Sequence, residues 1–249
     1  MWKYSCRGAP LVDQPTFIHR LKYAVSWWSI FLNPSFPIRR GLFVAFEEIF
    51  PSLQGKILDF GCGERPYEFL LNVKSIGLDV EISGREEVRK LPDIVYDGKT
   101  IPAKDGEFDA VICLEVLEHL PEPSESLREI YRVLKPGGKF VCSVPFFMPE
   151  HEAPYDFQRY TYFGLEKLLK LVGFQLTEIK RVGTFWKTIF QASVLYFYYI
   201  LRDHFKILLP AYLLFVAFPL HIFGYIFSFL LPKNSSLYLN LVAVAQKEK

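Results

Sequence analysis

The stretch 56–65, Lys-Ile-Leu-Asp-Phe-Gly-Cys-Gly-Glu-Arg, constrains the fold more than any other part of this chain. A short apolar run (Ile57, Leu58) enters Asp59, a Gly-x-Gly turn follows at Gly61 and Gly63, and a helix-like segment opens near Pro66 with Tyr67, Phe69, Leu70 and Leu71. Strand, glycine turn and helix form the geometry that cradles a phosphate or nucleotide. Glycine lets backbone N–H groups approach a ligand that a side chain would block. About 20 residues on, a second strand ends in Asp79, where an open α/β sheet places a ribose-binding carboxylate.

The chain then alternates strand and helix, as in a parallel sheet covered on both faces. After a charged segment from Glu81 to Lys90, a third strand ends at Asp97 before Gly98. The run 108–114, apolar apart from Asp109, reads as a buried central strand. Glu115, Glu118 and His119 follow it. A helix from Pro123 to Leu134 ends in Lys-Pro-Gly-Gly, and 139–144 is the fifth strand. Thr161 suits a helix N-cap, Gly173 ends that helix, and 174–182 alternates as a sixth strand.

Asp59, Gly61 and Gly63, with the stretch Glu-Phe-Asp-Ala-Val-Ile … Leu-Lys-Pro-Gly-Gly, resemble the class I (Rossmann-like) S-adenosylmethionine-dependent methyltransferases. The resemblance covers roughly 55–184 and resumes near the C-terminus. It departs from the family's first motif at the third glycine, where Arg65 stands. A nicotinamide dehydrogenase would need its last glycine where Pro66 sits. The resemblance implies a seven-stranded, mostly parallel sheet, with the run 237–245 as an antiparallel last strand between the fifth and sixth. It implies S-adenosylmethionine as cofactor, with Asp59, Gly61 and Gly63 at the methionine end, Asp79 on the ribose, Asp97 near the adenine or in a turn, and Glu115 shaping the pocket. Three units are expected: an N-terminal helical cap (1–50), the methyltransferase core (51–184 and 234–249) and an apolar insertion (185–233).

Methyl transfer from a sulfonium is an in-line displacement, so the protein aligns the acceptor and removes its proton. His119 or His151 is the expected base, since a near-neutral pKa suits that task. Were the turn after the fourth strand helical, Glu115, Glu118 and His119 would share one face. They would then form a site for a hard divalent ion such as Mg²⁺, and likeness to the small-RNA methyltransferases implies His151 as a fourth ligand. The Glu-x-x-Glu-His pattern resembles that of metal-binding ubiquinone-pathway and small-RNA methyltransferases, and it also occurs in relatives with no metal. Tyr155, Asp156, Arg159 and Tyr160 are expected around the acceptor, with Arg159 either holding an anionic group or paired with Asp156.

Of the 249 residues 51% are hydrophobic and 17% aromatic, including 24 Phe and 14 Tyr. Most of the excess lies after residue 184. The run 207–231 carries no formal charge apart from the partial charge of His221, and its length exceeds the ~20 residues that span a bilayer. Strands on either side belong to one sheet, so the insertion must leave and return. We expect a monotopic anchor: an in-plane aromatic helix over about 188–201, then a re-entrant helical hairpin bent near Pro219, with two spans as the alternative. Lys187, Arg202, Lys206 and Lys233 would lie among headgroups. A second apolar stripe from Phe17 to Leu32, through Ala24 and Val25, reads as one helix that either lies in the interface or caps the cleft. The net charge of +2 gives no nucleic-acid footprint. Cys6, Cys62, Cys113 and Cys142 have no disulfide or zinc spacing and read as reduced, cytosol-facing thiols. The expected protein is a membrane-associated O-methyltransferase with its catalytic domain facing the cytoplasm. Its expected acceptor is a quinone-type ring or a lipid-carried glycan. The alternatives are a tethered enzyme with a soluble acceptor and an inactive scaffold.

Overall fold

A computed structural model describes residues 16–23, 26–80 and 92–249. The first 15 residues, Ala24 and Val25, and the charged segment after Val80 lie outside the described residues. The sheet has seven strands: β1 (Ile57–Phe60), β2 (Ile76–Val80), β3 (Ile94–Tyr96), β4 (Phe108–Leu114), β5 (Leu134–Pro145), β6 (Gln175–Val182) and β7 (Asn240–Gln246). Their order is β3-β2-β1-β4-β5-β7-β6. The pairs from β3 to β5 are parallel, and β7 runs antiparallel to both its neighbours. The antiparallel last strand thus sits between β5 and β6, as the resemblance implied.

Period-two alternation divides the core. Leu58, Phe60, Val111, Cys113, Phe140 and Cys142 pack on one face with residues of α3 (Pro123–Val133) and α4 (Tyr162–Val172). Ile57, Ala110, Ile112 and Val141 pack on the other with residues of α2 (Phe36–Ile49). Thr161 caps α4 by accepting from the Gly164 N–H at 3.0 Å, and Gly173 ends it at φ +105°.

Four expected elements differ. The helix after the glycine turn is only a 3₁₀ turn, Glu68–Leu70. β5 begins at Leu134 rather than 139, so Lys135-Pro-Gly-Gly138 lies within the strand, where a register shift against Phe108 and Ala110 accommodates it. The N-terminal stripe is not one helix. α1 covers only Phe17–Lys22, and a separate 3₁₀ turn covers Trp27–Phe31.

The fourth difference is in the insertion. α5 runs Phe185–His204, longer than expected. A single helix of 25 residues, Lys206–Leu230, then packs back against it. The insertion is therefore a helical hairpin that turns at Phe205, and the expected bend near Pro219 is absent. Pro219 sits at the start of the α-helical part Phe218–Leu230, just after a π turn at Leu213–Ala217. A proline ring clashes with the carbonyl four residues back, and a widened π turn relieves that clash without breaking the helix. The hairpin's base packs on the cap. Phe31 stacks on Phe218 with ring centroids 4.4 Å apart, and the Gln191 side chain donates to the Pro34 carbonyl at 2.8 Å.

Candidate active site

The site lies at the carboxyl ends of β1 and β4, where open α/β sheets bind ligands. Gly61 and Gly63 adopt φ +71° and +46°. The Gly61 and Cys62 N–H groups both donate to the Leu78 carbonyl, at 2.8 and 3.1 Å, tying the turn to β2. A Cβ on Gly61 would lie 2.4 Å from Val116 Cγ2, so the turn can take this path only with glycine there. Asp79 grips the turn from β2: its carboxylate accepts from the Gly63 N–H at 2.9 Å and from the Val80 N–H at 2.8 Å. Asp59 is buried, and burial pushes its carboxyl up to about 7 against the opposing pull of Arg65.

Arg65, in place of the third glycine, keeps the left-handed backbone at φ +50°. Its guanidinium donates to Asp93 at 2.6 Å and lies across Gly77, where a Cβ would sit 2.2 Å from Nη2. The bulk gained at 65 is thus accommodated by its absence at 77.

The cleft has a volume of about 520 Å³ and is lined by Asp59, Gly61, Gly63, Glu115 and His151 among others. Asp79 and Asp97 are not among its lining residues. Asp97 accepts from the Lys99 and Thr100 N–H groups at 2.8 and 2.9 Å, which is the turn role of the two weighed for it. Glu115 is not helical: it has φ +56°, and one carboxylate oxygen accepts from the Asn240 side chain at 2.9 Å. Burial raises its carboxyl to about 7.

Beside the cleft, Glu118, His119 and His151 each offer a ligand atom, all within 4.8 Å of one another. Glu115 is not part of this group, because the backbone after β4 is a left-handed residue followed by a 3₁₀ turn at Leu117–His119 rather than an α-helix. Glu118 is fully buried and neither carboxylate oxygen has a hydrogen-bond partner. Burial, reinforced by Glu115, pushes its carboxyl well above the usual range. His119 Nδ1 donates to the Tyr155 carbonyl at 2.8 Å, which leaves Nε2 as a buried lone pair without a partner. His151 Nδ1 faces the Pro149 carbonyl and Asp156, each at 3.2 Å. Each imidazole thus has one nitrogen fixed by an acceptor, the outer arrangement that orients metal-binding or proton-accepting histidines.

Arg159 forms a bidentate pair with Asp156 at 2.5 and 2.6 Å, and this pair holds the Asp156 carboxyl down at about 2. The structure therefore gives Arg159 its structural role. Tyr160 is buried and donates to Gln158 at 2.7 Å, beneath the 3₁₀ turn rather than in the cleft. Lining residues that escaped the sequence reading include Tyr23, Arg39 and Asn240. Asn240 had a signal, a lone amide in an apolar strand. Arg39 packs its guanidinium over the Tyr23 ring at 4.9 Å and had none beyond its charge.

Residues 58–142 match a family model described as a methyltransferase domain. A ubiquinone biosynthesis O-methyltransferase of Pseudomonas aeruginosa is 33% identical over 100 residues, 35% of this chain and 43% of that one. An uncharacterized protein of Methanocaldococcus jannaschii is 34% identical over 93 residues, 36% of this chain and 45% of its own. The match thus spans less than half the length of these relatives. Among solved structures, a protein of Thermotoga maritima described as a possible histamine N-methyltransferase aligns with TM-score 0.52 at 16% identity, covering 94% of this chain and 100% of its own. The [4+2]-cyclase SpnF aligns with TM-score 0.53 at 17% identity, covering 84% and 81%. These two likenesses establish the fold alone, and one of the two proteins is a cyclase.

Proposed function

We propose that this chain, whose residues 58–142 match a methyltransferase domain, is a class I S-adenosylmethionine-dependent methyltransferase that methylates a hydroxyl of a lipophilic acceptor at a membrane surface. One observation carries the reading. The cap that lines the cofactor cleft also packs on an apolar hairpin whose outer faces are not covered by the described residues. The ubiquinone-pathway relatives favour a quinone-type ring over a lipid-carried glycan as acceptor.

The glycine turn and Asp59 receive the methionine end of the cofactor, and Arg39, a cleft-lining cation, suits its carboxylate. Asp79 takes the ribose hydroxyls by exchanging its grip on Gly63. Bound S-adenosylmethionine supplies the electrophilic methyl group. His119 Nε2 takes the acceptor's proton, its ring held by the Tyr155 carbonyl, and His151 is the second candidate base. Alternatively, Glu118, His119 and His151 fit a divalent ion, since Glu118 has two buried oxygens without hydrogen-bond partners, and His119 Nε2 would then be a ligand and not the base. Two imidazoles and one carboxylate suit zinc, iron or manganese better than Mg²⁺. Such an ion would supply Lewis acidity at the acceptor oxygen.

The hairpin lies in one leaflet as a monotopic anchor, with Lys187 and Lys233 near its base and Arg202 and Lys206 at its turn among headgroups. The catalytic sheet faces the cytoplasm in this arrangement. The test incubates purified protein with labelled S-adenosylmethionine and host membranes, then separates organic from aqueous phases. Label in the organic phase supports a lipid acceptor. Label confined to the aqueous phase sinks that acceptor and makes the hairpin a tether. Full turnover in excess chelator would remove the ion.

A further inference from the structure

Two cleft-lining residues carry buried oxygens with no hydrogen-bond partner among the described residues: Glu115 Oε1 and the Tyr67 hydroxyl. Tyr67 is 4% exposed, and its hydroxyl feels the Glu115 charge. A buried polar atom left unpaired opposes folding, so it marks a place where something else completes the bond. The backbone is strained at the same point. Glu115 holds its left-handed φ of +56° without being glycine. Strain of this kind concentrates where a side chain must be aimed. The aim is then fixed from two neighbouring strands. The Glu115 N–H is shared between the Ser143 carbonyl at 3.0 Å and the Ser143 hydroxyl at 3.2 Å, and Asn240 Nδ2 clamps Oε2 at 2.9 Å.

Clamped in this way, the carboxylate has one oxygen left to accept with, and the Tyr67 hydroxyl is free to donate. A hydroxyl group does both: its proton goes to Glu115 Oε1 and its oxygen accepts from Tyr67. The cofactor's ammonium is the other donor that could reach Glu115, but it has no lone pair for Tyr67. Position also favours the acceptor. Ser143 and Asn240 belong to β5 and β7, on the side of β4 away from β1 and its glycine turn. The hydroxyl that is methylated gives its proton to the base and cannot donate here as well. The cleft must also take the cofactor, so both hydroxyls sit on one ring. We infer that Glu115 and Tyr67 form an acceptor subsite that holds a second hydroxyl, adjacent on the ring to the one that is methylated. The inference rests on the methyltransferase reading and narrows its acceptor from any ring hydroxyl to a pair of neighbouring ones. A site built to bond a hydroxyl rejects the analogue that lacks it, because its own polar atoms are then left unpaired.

The test uses the full chain in detergent with S-adenosylhomocysteine bound. 4-Methylcatechol and 4-methylphenol, which differ by the second hydroxyl alone, are titrated by calorimetry in reducing buffer. We expect 4-methylcatechol to bind roughly ten- to a hundredfold tighter, the scale of a hydrogen bond to a charged group. Glu115→Gln should bring that ratio to roughly threefold or less. Tyr67→Phe, which removes one oxygen and keeps the ring, should lower it roughly two- to tenfold, the scale of one neutral bond. Because the readout is a ratio within one protein, a general loss of packing in a variant does not imitate these results. A ratio that survives in both variants gives Glu115 and Tyr67 a structural role only and overturns the subsite. A ratio near one in the parent, or no binding of either probe, also overturns it while the methyltransferase reading stands. A parent ratio near one with weaker S-adenosylhomocysteine binding in Glu115→Gln assigns the carboxylate to the cofactor's ammonium instead. Failure of S-adenosylhomocysteine itself to bind overturns the methyltransferase reading, and the subsite with it.

Discussion

The strand Phe108–Leu114 and the helical part Phe218–Leu230 are both nearly unbroken runs of apolar residues, yet they have opposite surroundings. In the strand, Phe108 and all four residues from Ala110 to Cys113 are buried beneath the protein's own helices. In the helix, only His221 and Gly224 are buried, and Phe229 is 87% exposed. Of the most apolar window in the 25-residue helix, 17% is buried. Apolarity alone therefore specifies burial but not what provides it. The sheet supplies its own cover, because α2, α3 and α4 bring matching faces to it. The hairpin packs on the cap and, through Leu195, on the core, and its other faces carry exposed apolar side chains such as Phe215 and Phe229.

Four substitutions would break or sharpen this contrast. The largest effect is expected at the chemistry. His119→Ala should lower turnover by roughly 10²- to 10⁴-fold, the usual worth of a positioned base. Membrane retention and Tm should stay near those of the parent, so unchanged turnover in this variant would remove His119 from the mechanism. Next is Gly61→Ala, which combines a left-handed backbone with a 2.4 Å approach to Val116. Strain and overpacking together should cost about 2–4 kcal/mol in denaturant unfolding and abolish cofactor binding. A parent-like midpoint would show that the loop relaxes freely. On the hairpin, Phe229→Lys should leave Tm in detergent within about a degree and reduce partition onto vesicles roughly ten- to a hundredfold. That range follows from the ~1.5–3 kcal/mol of transferring a phenylalanine side chain. Unchanged partition would turn that face away from lipid. The smallest effect is expected for Pro219→Ala. The π turn already accommodates the ring, so helicity by circular dichroism should not fall and stability should change by about 1 kcal/mol or less. A marked gain in helicity would show that the proline does bend the hairpin in solution.

Much of the sheet was legible because its signals are local and redundant. Asp59, Gly61, Gly63 and the apolar runs each point to one backbone conformation, and the antiparallel β7 follows from the resemblance. The helix after the glycine turn was misjudged because only nine residues, 67–75, separate Pro66 from β2, and Glu68 is drawn into bonds with the Ser75 N–H and hydroxyl. The start of β5 was hidden because Lys-Pro-Gly-Gly reads as a helix stop, and only pairing with β4 and β7 makes it extended. In the site, Glu118, His119 and His151 could be named from their types. That Glu115 stands apart from them depends on a left-handed residue that no spacing rule gives. The ion pair of Arg159 with Asp156 was one of two open readings, and only the three-dimensional arrangement decides it. Tyr23 and Arg39 reach the cleft through the packing of the cap, a long-range contact invisible to periodicity. The hairpin's turn at Phe205 was misplaced because a proline was read as a break without the π turn that absorbs it.

The central claim is that the cleft at the carboxyl ends of β1 and β4 holds S-adenosylmethionine through the glycine turn, with Asp79 beside it exchanging its bond to Gly63 for the ribose. The most direct test is calorimetric titration of S-adenosylmethionine into the full chain and into Asp79→Ala, with Tm recorded for both. The account predicts saturable one-site binding in the parent and at least roughly tenfold weaker binding in the variant, the scale of losing charged hydrogen bonds to two hydroxyls, with a Tm lowered by the lost bond to the Gly63 N–H but a folded protein. No binding to the parent, or equal affinity in the two proteins, would contradict it.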